Sequence, residues 1–182
     1  MHIIEAENPS EAWYEAAKFI LQNGKNVGNL KEVLYLFVEI KNPLKVNEEI
    51  DNAFKNIPAL GKKSGREWIE WGINQLNVSS SIQDKSWLDR YITRLTKYRN
   101  KVNQLAYVIS RLKEKPKSKQ LFCTTFDPEV DIKLNMPYNP RMPCLTAIDL
   151  KERENKLNFF SLFRSHDFGR KAYEIIWVSE DF

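Results

Sequence analysis

The chain has 182 residues, 42% hydrophobic and 29% charged, with 28 Lys and Arg against 24 Asp and Glu for a net charge of +4. This is the composition of an ordinary soluble globular protein, long enough to bury a core without staples and expected to form a single domain over residues 1–182. Cys123 and Cys144 make no disulfide framework and, with two histidines, no zinc pattern, so no metal is expected; no apolar run approaches membrane-spanning length.

The N-terminal "MHIIEAENPSEAW" lacks the basic start and apolar core of a signal peptide, which makes a cytoplasmic setting the expectation. Ser10 to Asn23 predicts a helix, with Ser10 as N-cap, Trp13, Ala16, Ala17, Ile20 and Leu21 on one face, and Gly24 as the stop. Val33 to Ile40 predicts a strand closed by Asn42-Pro43. A second helix is expected to open at Ser64 in "SGREWIEWGINQL", followed by the loop "NVSSSIQDKS". From Leu88 to Lys113 one long helical pattern carries Tyr91, Leu95, Tyr98, Val102, Leu105, Val108, Ile109 and Leu112, broken at Pro116. The period then changes to two. "QLFCTTF", "CLTAIDL" and "KLNFFSLF" predict strands, the last two joined by the charged "KERENK" turn. Helices first and a sheet-forming second half indicate an α+β domain.

Few residues in this pattern carry chemistry. In "CLTAIDL" strict alternation places Cys144, Thr146, Ile148 and Leu150 on one face. A cysteine there is ordinarily an inert buried thiol. Against that stand the preceding "PRMP" loop and Arg164, twenty residues on at a strand end beside Ser165. A nearby cation favours the thiolate, and a strand-end arginine can aim at an anion. Glu67 closes a capping box with Ser64, a structural role that competes with a catalytic one. The basic stretches "YITRLTKYRNK" and "RLKEKPKSK" fit a solvated helix face and loop better than a nucleic-acid surface.

"NQLAYVISRLKEKPKSKQ", "MPCLTAIDL" and "FRSHD" together resemble the thymidylate synthases and the related pyrimidine hydroxymethylases. That family runs Asp-Gln, an apolar helix, Pro-x-Ser-Arg-Arg, a Pro-Cys nucleophile and an Arg-Ser-x-Asp strand end. Here these positions read Asn103-Gln104, Pro116 to Gln120, Pro143-Cys144 and Arg164 to Asp167, and the cysteine-to-arginine spacing agrees. Glu67 precedes Asn77 much as the family's catalytic glutamate precedes its Thr-Asn. "LKEVLYLFVEIKNPL" looks closest to the archaeal, methanogen-type branch.

The resemblance implies a mixed β-sheet packed with helices and one-carbon transfer to C5 of a pyrimidine deoxynucleotide monophosphate, dUMP to dTMP. It implies Cys144 as the nucleophile at C6 and Glu67 as the group ordering water and protons. Arg164 and Ser165 would take the 5′-phosphate, joined by Lys119 from the opposite subunit of a homodimer. Asp167 would face a reduced folate, 5,10-methylenetetrahydrofolate, or a methanopterin analogue. Departures accompany these expectations: Gln120 replaces the family's second arginine, Leu145 stands where a histidine often follows the nucleophile, and "FGRKAYEIIWVSEDF" offers no asparagine to read uracil. The chain stops at Phe182, before the family's His-x-Tyr segment and closing tail. A dCMP or dUMP hydroxymethylase and a non-catalytic nucleotide-binding homologue are the alternative expectations.

Overall fold

A computed structural model describes residues 1–56, 62–67, 70, 87–132 and 142–166. The chain divides into two compact units, residues 1–75 with 167–182, and residues 76–166.

The first unit begins with β1 (His2–Ala6), α1 (Pro9–Asn23), the hairpin β2 (Lys25–Val27) and β3 (Leu30–Glu32), and β4 (Leu36–Ile40). β4 pairs in parallel with β1, Ile4 opposite Val38, so α1 is the crossover of a β-α-β unit. α1 starts earlier than the expected Ser10 cap. Asn8 accepts the Glu11 N–H at 3.1 Å, Pro9 occupies the first turn where no donor is needed, and Ser10 is fully buried. Gly24 ends the helix as expected, its N–H 2.8 Å from the Ile20 carbonyl. A Cβ at Gly24 would lie 2.4 Å from that same oxygen. The single strand expected from Val33 is interrupted because Tyr35 adopts φ 58, a left-handed turn that a strand cannot carry. α2 (Glu48–Ala53) follows, capped by Asn47, and runs into a 3-10 turn at Phe54–Asn56. The rings of Trp13 and the buried Phe54 pack at a 59° tilt, their centroids 4.5 Å apart.

The second unit contains α3 (Trp87–Lys97), α4 (Gln104–Glu114), β5 (Phe122–Thr124), α5 (Pro128–Asp131), β6 (Leu145–Arg153) and β7 (Lys156–Phe163). The long helix expected over Leu88 to Lys113 is two helices. Arg99 and Asn100 both turn left-handed, φ 48 and 58, and Asn103 recaps the chain by accepting the Ala106 N–H at 2.9 Å. β5, β6 and β7 form an antiparallel sheet in that order. Glu154 and Asn155, φ 54 and 60, make the tight turn between β6 and β7, where positive φ at both central residues matches the strands' twist. Leu95, Val108, Leu121, Cys123, Ile148 and Leu150 form the core, with α3 and α4 against one sheet face. Parallel and antiparallel pairing together with helices make the chain α+β. Among the described residues no helix is long and apolar enough to cross a membrane.

Two arginine–carboxylate pairs bind α5 to the helices. Arg94 forks onto the buried Asp131 at 2.6 and 2.7 Å and also donates to the Thr125 carbonyl. Arg99 holds the buried Asp127 at 2.6 and 2.8 Å and reaches Glu129 at 3.0 Å. The hydrogen bonds from Arg99 hold the Asp127 carboxyl down to about 2, against an ordinary 3.8. A carboxyl whose pKa falls on folding contributes stability that is complete above its unfolded value and lost as pH falls toward the folded one. The melting temperature is therefore expected to drop between pH 4 and pH 2 with a slope that Asp127→Asn reduces; thermal unfolding across pH 2 to 6 checks it.

Candidate functional site

β6 carries the site, and its pairing explains how. Leu145 lies opposite Phe163 but Ala147 lies opposite Leu162, so Thr146 is an extra residue in β6. The bulge inverts the strand's alternation. Leu145 packs against the core cluster that also holds Ile148 and Leu150. The expectation that Cys144, Thr146, Ile148 and Leu150 share one face is thus corrected: one step before Leu145, Cys144 is turned from the core and is half-buried. Cys123, by contrast, is wholly buried, and desolvation pushes its thiol up to about 11. Of the two thiols, Cys144 is the more accessible.

Main-chain and side-chain bonds hold Cys144 on three sides. Its N–H donates to the Tyr91 hydroxyl at 2.8 Å, and its carbonyl accepts the Arg164 N–H at 2.9 Å. The Arg164 guanidinium reaches back across the sheet end, Nε to the Pro143 carbonyl and Nη2 to that of Met142, both at 2.9 Å. Arginine and cysteine are brought together as the sequence pattern implied. Arg164 organises the turn before Cys144 with two of its five donors and stays exposed. Ser165 follows, also exposed, and the His166 ring stands 5.0 Å from Phe163.

Tyr91 is the site residue that sequence reasoning missed, having read it as one more apolar member of a helix face. Burial pushes its phenol up, and the neighbouring Cys144 side chain acts in the same direction, so the hydroxyl stays protonated at neutral pH. Gln104 braces the same region from below. Its amide nitrogen donates to the Arg94 and Thr124 carbonyls at 2.9 and 2.7 Å, and its oxygen accepts the Thr124 N–H at 2.9 Å. Asn103, where the resembled family has aspartate, still caps α4, so that departure leaves the local fold intact.

Glu67 lies in the first unit, exposed, with its Oε2 accepting the Ser64 N–H at 2.7 Å while the Ser64 hydroxyl accepts the Glu67 N–H at 3.2 Å. The bond from the Ser64 N–H lowers its carboxyl below the usual range, with Lys55 at 3.8 Å adding to the effect. Lys119 is exposed in the loop between α4 and β5, and Gln120 accepts from Arg111 at 2.9 Å. Asp167 and the segment "FGRKAYEIIWVSEDF" lie outside the described residues, as does most of the helix expected after Ser64. Arg94 and Arg99, central to a nucleic-acid reading of the basic stretch, are committed to Asp131 and Asp127. Among the described residues, no three His, Cys, Asp or Glu gather as metal ligands.

The sequence profile of the thymidylate synthase family matches residues 16–174. A Methanosarcina mazei protein named provisionally as a thymidylate synthase is 34% identical over 172 residues, covering 92% of this chain and 71% of that protein. A Methanocaldococcus jannaschii protein named in the same way is 27% identical over 178 residues, covering 92% and 73%. Among solved structures, the thermostable thymidylate synthase A of Bacillus subtilis matches 93% of this chain and 69% of its own, at 15% identity and a TM-score of 0.47.

Replacing Tyr91 with Phe deletes the acceptor of the Cys144 N–H and is expected to cost about 1 kcal/mol of unfolding free energy. Equilibrium urea unfolding measures it, and an unchanged midpoint would show that the hydroxyl does not support the site.

Proposed function

This chain belongs to the thymidylate synthase family, and from that premise we propose that it transfers a one-carbon unit to C5 of dUMP through a covalent bond between Cys144 and C6. The single observation that carries the reading is the placement of Cys144: turned off the core by the bulge, half-buried, and clasped from both sides by Tyr91 and Arg164.

The chemistry follows from the groups present. Attack of the Cys144 thiolate on C6 forms the S–C6 bond and moves the C5–C6 π electrons toward C5 and the O4 oxygen. C5 becomes nucleophilic only while sulfur is attached. Once the one-carbon unit is joined at C5, loss of the C5 proton to a base would break that unit's bond to its carrier and leave an exocyclic methylene, and hydride delivered to that carbon would re-form the C5–C6 double bond and expel the Cys144 thiolate. Arg164 and Ser165 at the strand end are the proposed phosphate anchors, an arginine fork being well matched to a phosphate. Anchoring there would set the pyrimidine over the sulfur and make the addition effectively intramolecular. Lys119 is proposed to supply a further cation to a phosphate across a subunit interface. Glu67, ionised and held by its cap, is proposed to order water and shuttle protons.

A reduced folate, or a methanopterin of the same chemistry, would supply the methylene group and the reducing equivalents when bound. Its proposed contact is Asp167, outside the described residues, and the chemistry of the described side chains stops at the pyrimidine. A homodimer is proposed through the outer face of the β5-β6-β7 sheet. Phe122, Phe160 and Leu162 line that face, 52%, 51% and 50% exposed, where an antiparallel sheet facing water would ordinarily place polar residues.

Release of tritium from 5-labelled dUMP tests the reading, with 5-labelled dCMP run beside it. Release from dUMP is expected in the presence of methylenetetrahydrofolate, abolished in Cys144→Ala. In Glu67→Gln, where the amide oxygen can still accept the Ser64 N–H, release is expected to fall about 10²-fold with little change in melting temperature. Release that persists in Cys144→Ala would overturn the covalent route, and preference for dCMP would overturn the substrate.

A further inference from the structure

The residue that keeps the bulge in place is not on β6. Thr125 follows β5 and is completely buried. Its N–H donates to the Thr146 carbonyl at 3.1 Å, and its hydroxyl donates to the Leu145 carbonyl. One threonine thus takes both carbonyls of the bulged pair, the two residues that follow Cys144. A bulge withdraws a residue from the regular ladder, so such a carbonyl must find another donor or remain unpaired inside the protein. Thr124 and Thr146 extend the arrangement: the Thr124 hydroxyl donates to the Thr146 carbonyl at 3.0 Å, and the Thr146 hydroxyl to that of Leu162 at 3.0 Å. Those two bonds tie down the bulged residue itself. Among the described residues, Thr125 is the side chain whose hydroxyl donates to the Leu145 carbonyl, where the alternation changes phase.

We propose that Thr125 is a positioning residue for Cys144, its buried hydroxyl locking the Leu145–Thr146 bulge that turns the thiol out of the core. Without that donor the Leu145 carbonyl is left unsatisfied, and the nearest remedy is a return to unbroken pairing. A shift of one residue exchanges the two faces of a strand. Cys144 would then turn to the face on which Leu145 now packs, the apolar side of the sheet, where the thiolate is suppressed. The inference rests on Cys144 being the nucleophile, but its effect on thiol access exists without any substrate.

The test is the rate of Cys144 alkylation by iodoacetamide in the folded protein, resolved from Cys123 by peptide mass spectrometry. Thr125→Val, matched in shape but without a donor, is expected to slow Cys144 modification at least about tenfold, as an access effect requires. Thr125→Ser restores the hydroxyl and is expected to return the rate to within about twofold of wild type. Thr96→Val is the control: it removes another hydroxyl bound to a main-chain carbonyl, that of Ile92 within α3, and should leave the rate unchanged. Thr125→Ala, which removes the donor without setting a methyl against the carbonyl, gives the same reading where the valine variant does not fold. In the tritium assay the loss should fall on kcat, with KM for dUMP held, because the phosphate anchors are untouched. A folded Thr125→Val or Thr125→Ala protein that alkylates at the wild-type rate or faster overturns the proposal, as does an equal slowing in Thr96→Val. Absence of tritium release from wild type would instead remove the enzymatic reading and leave the alkylation comparison standing.

Discussion

The second unit depends on a conflict within β6. A strand alternates strictly, and this one must bury Ile148 and Leu150 against α3 and α4 to close the core. Four and six residues before them in the same phase, Cys144 would be buried as well. One extra residue, Thr146, resolves the conflict by changing the phase between the part of β6 that packs and Cys144, which immediately precedes the strand. Bulges beside reactive groups are a recurrent way of re-aiming one side chain without giving up the sheet.

The surrounding polar groups are arranged to hold that change of phase. Tyr91 takes the N–H of Cys144, Arg164 takes the carbonyls before it and pairs with its own, and Thr125 takes the two carbonyls after it. Behind them Gln104 ties α3 to β5, and the Arg94–Asp131 and Arg99–Asp127 pairs dock α5 against the same helices. Buried networks of this kind confer geometry more surely than net stability, since a desolvated ion pair roughly balances its own desolvation. Their cost is accepted where a reacting group must stay fixed.

Much of this organisation was legible in the sequence. The paired positions Asn103-Gln104, Pro143-Cys144 and Arg164-Ser165 pointed to a family and to a nucleophile, and helices followed by antiparallel strands were readable from periodicity. Other features depend on information no single segment contains. Arg99 and Asn100 look like helix interior, and their left-handed turn is explained only once Arg99 meets Asp127. The start of α1 is a different case, because Asn8, Pro9 and Glu11 are a local cap, first-turn proline and N3 acid that the choice of Ser10 passed over. The bulge is invisible in "CLTAIDL" because register belongs to a pair of strands, and Thr125 reads as a plain strand residue for the same reason. Tyr91 was hidden by its apolar ring, which fits a helix face, while its hydroxyl accepts the N–H of Cys144.

The nucleophile is tested most directly by the mass of the protein after incubation with 5-fluoro-dUMP and a methylene-bearing carrier, in separate folate and methanopterin arms. Fluorine at C5 cannot depart as the proton does, so the reaction should halt with sulfur still bound to C6. A stable mass gain is expected that maps to the peptide containing Cys144, is absent from Cys123 and disappears in Cys144→Ala. A gain located elsewhere, or none in either arm while the nucleotide still protects the protein from heat, would contradict Cys144 as the nucleophile.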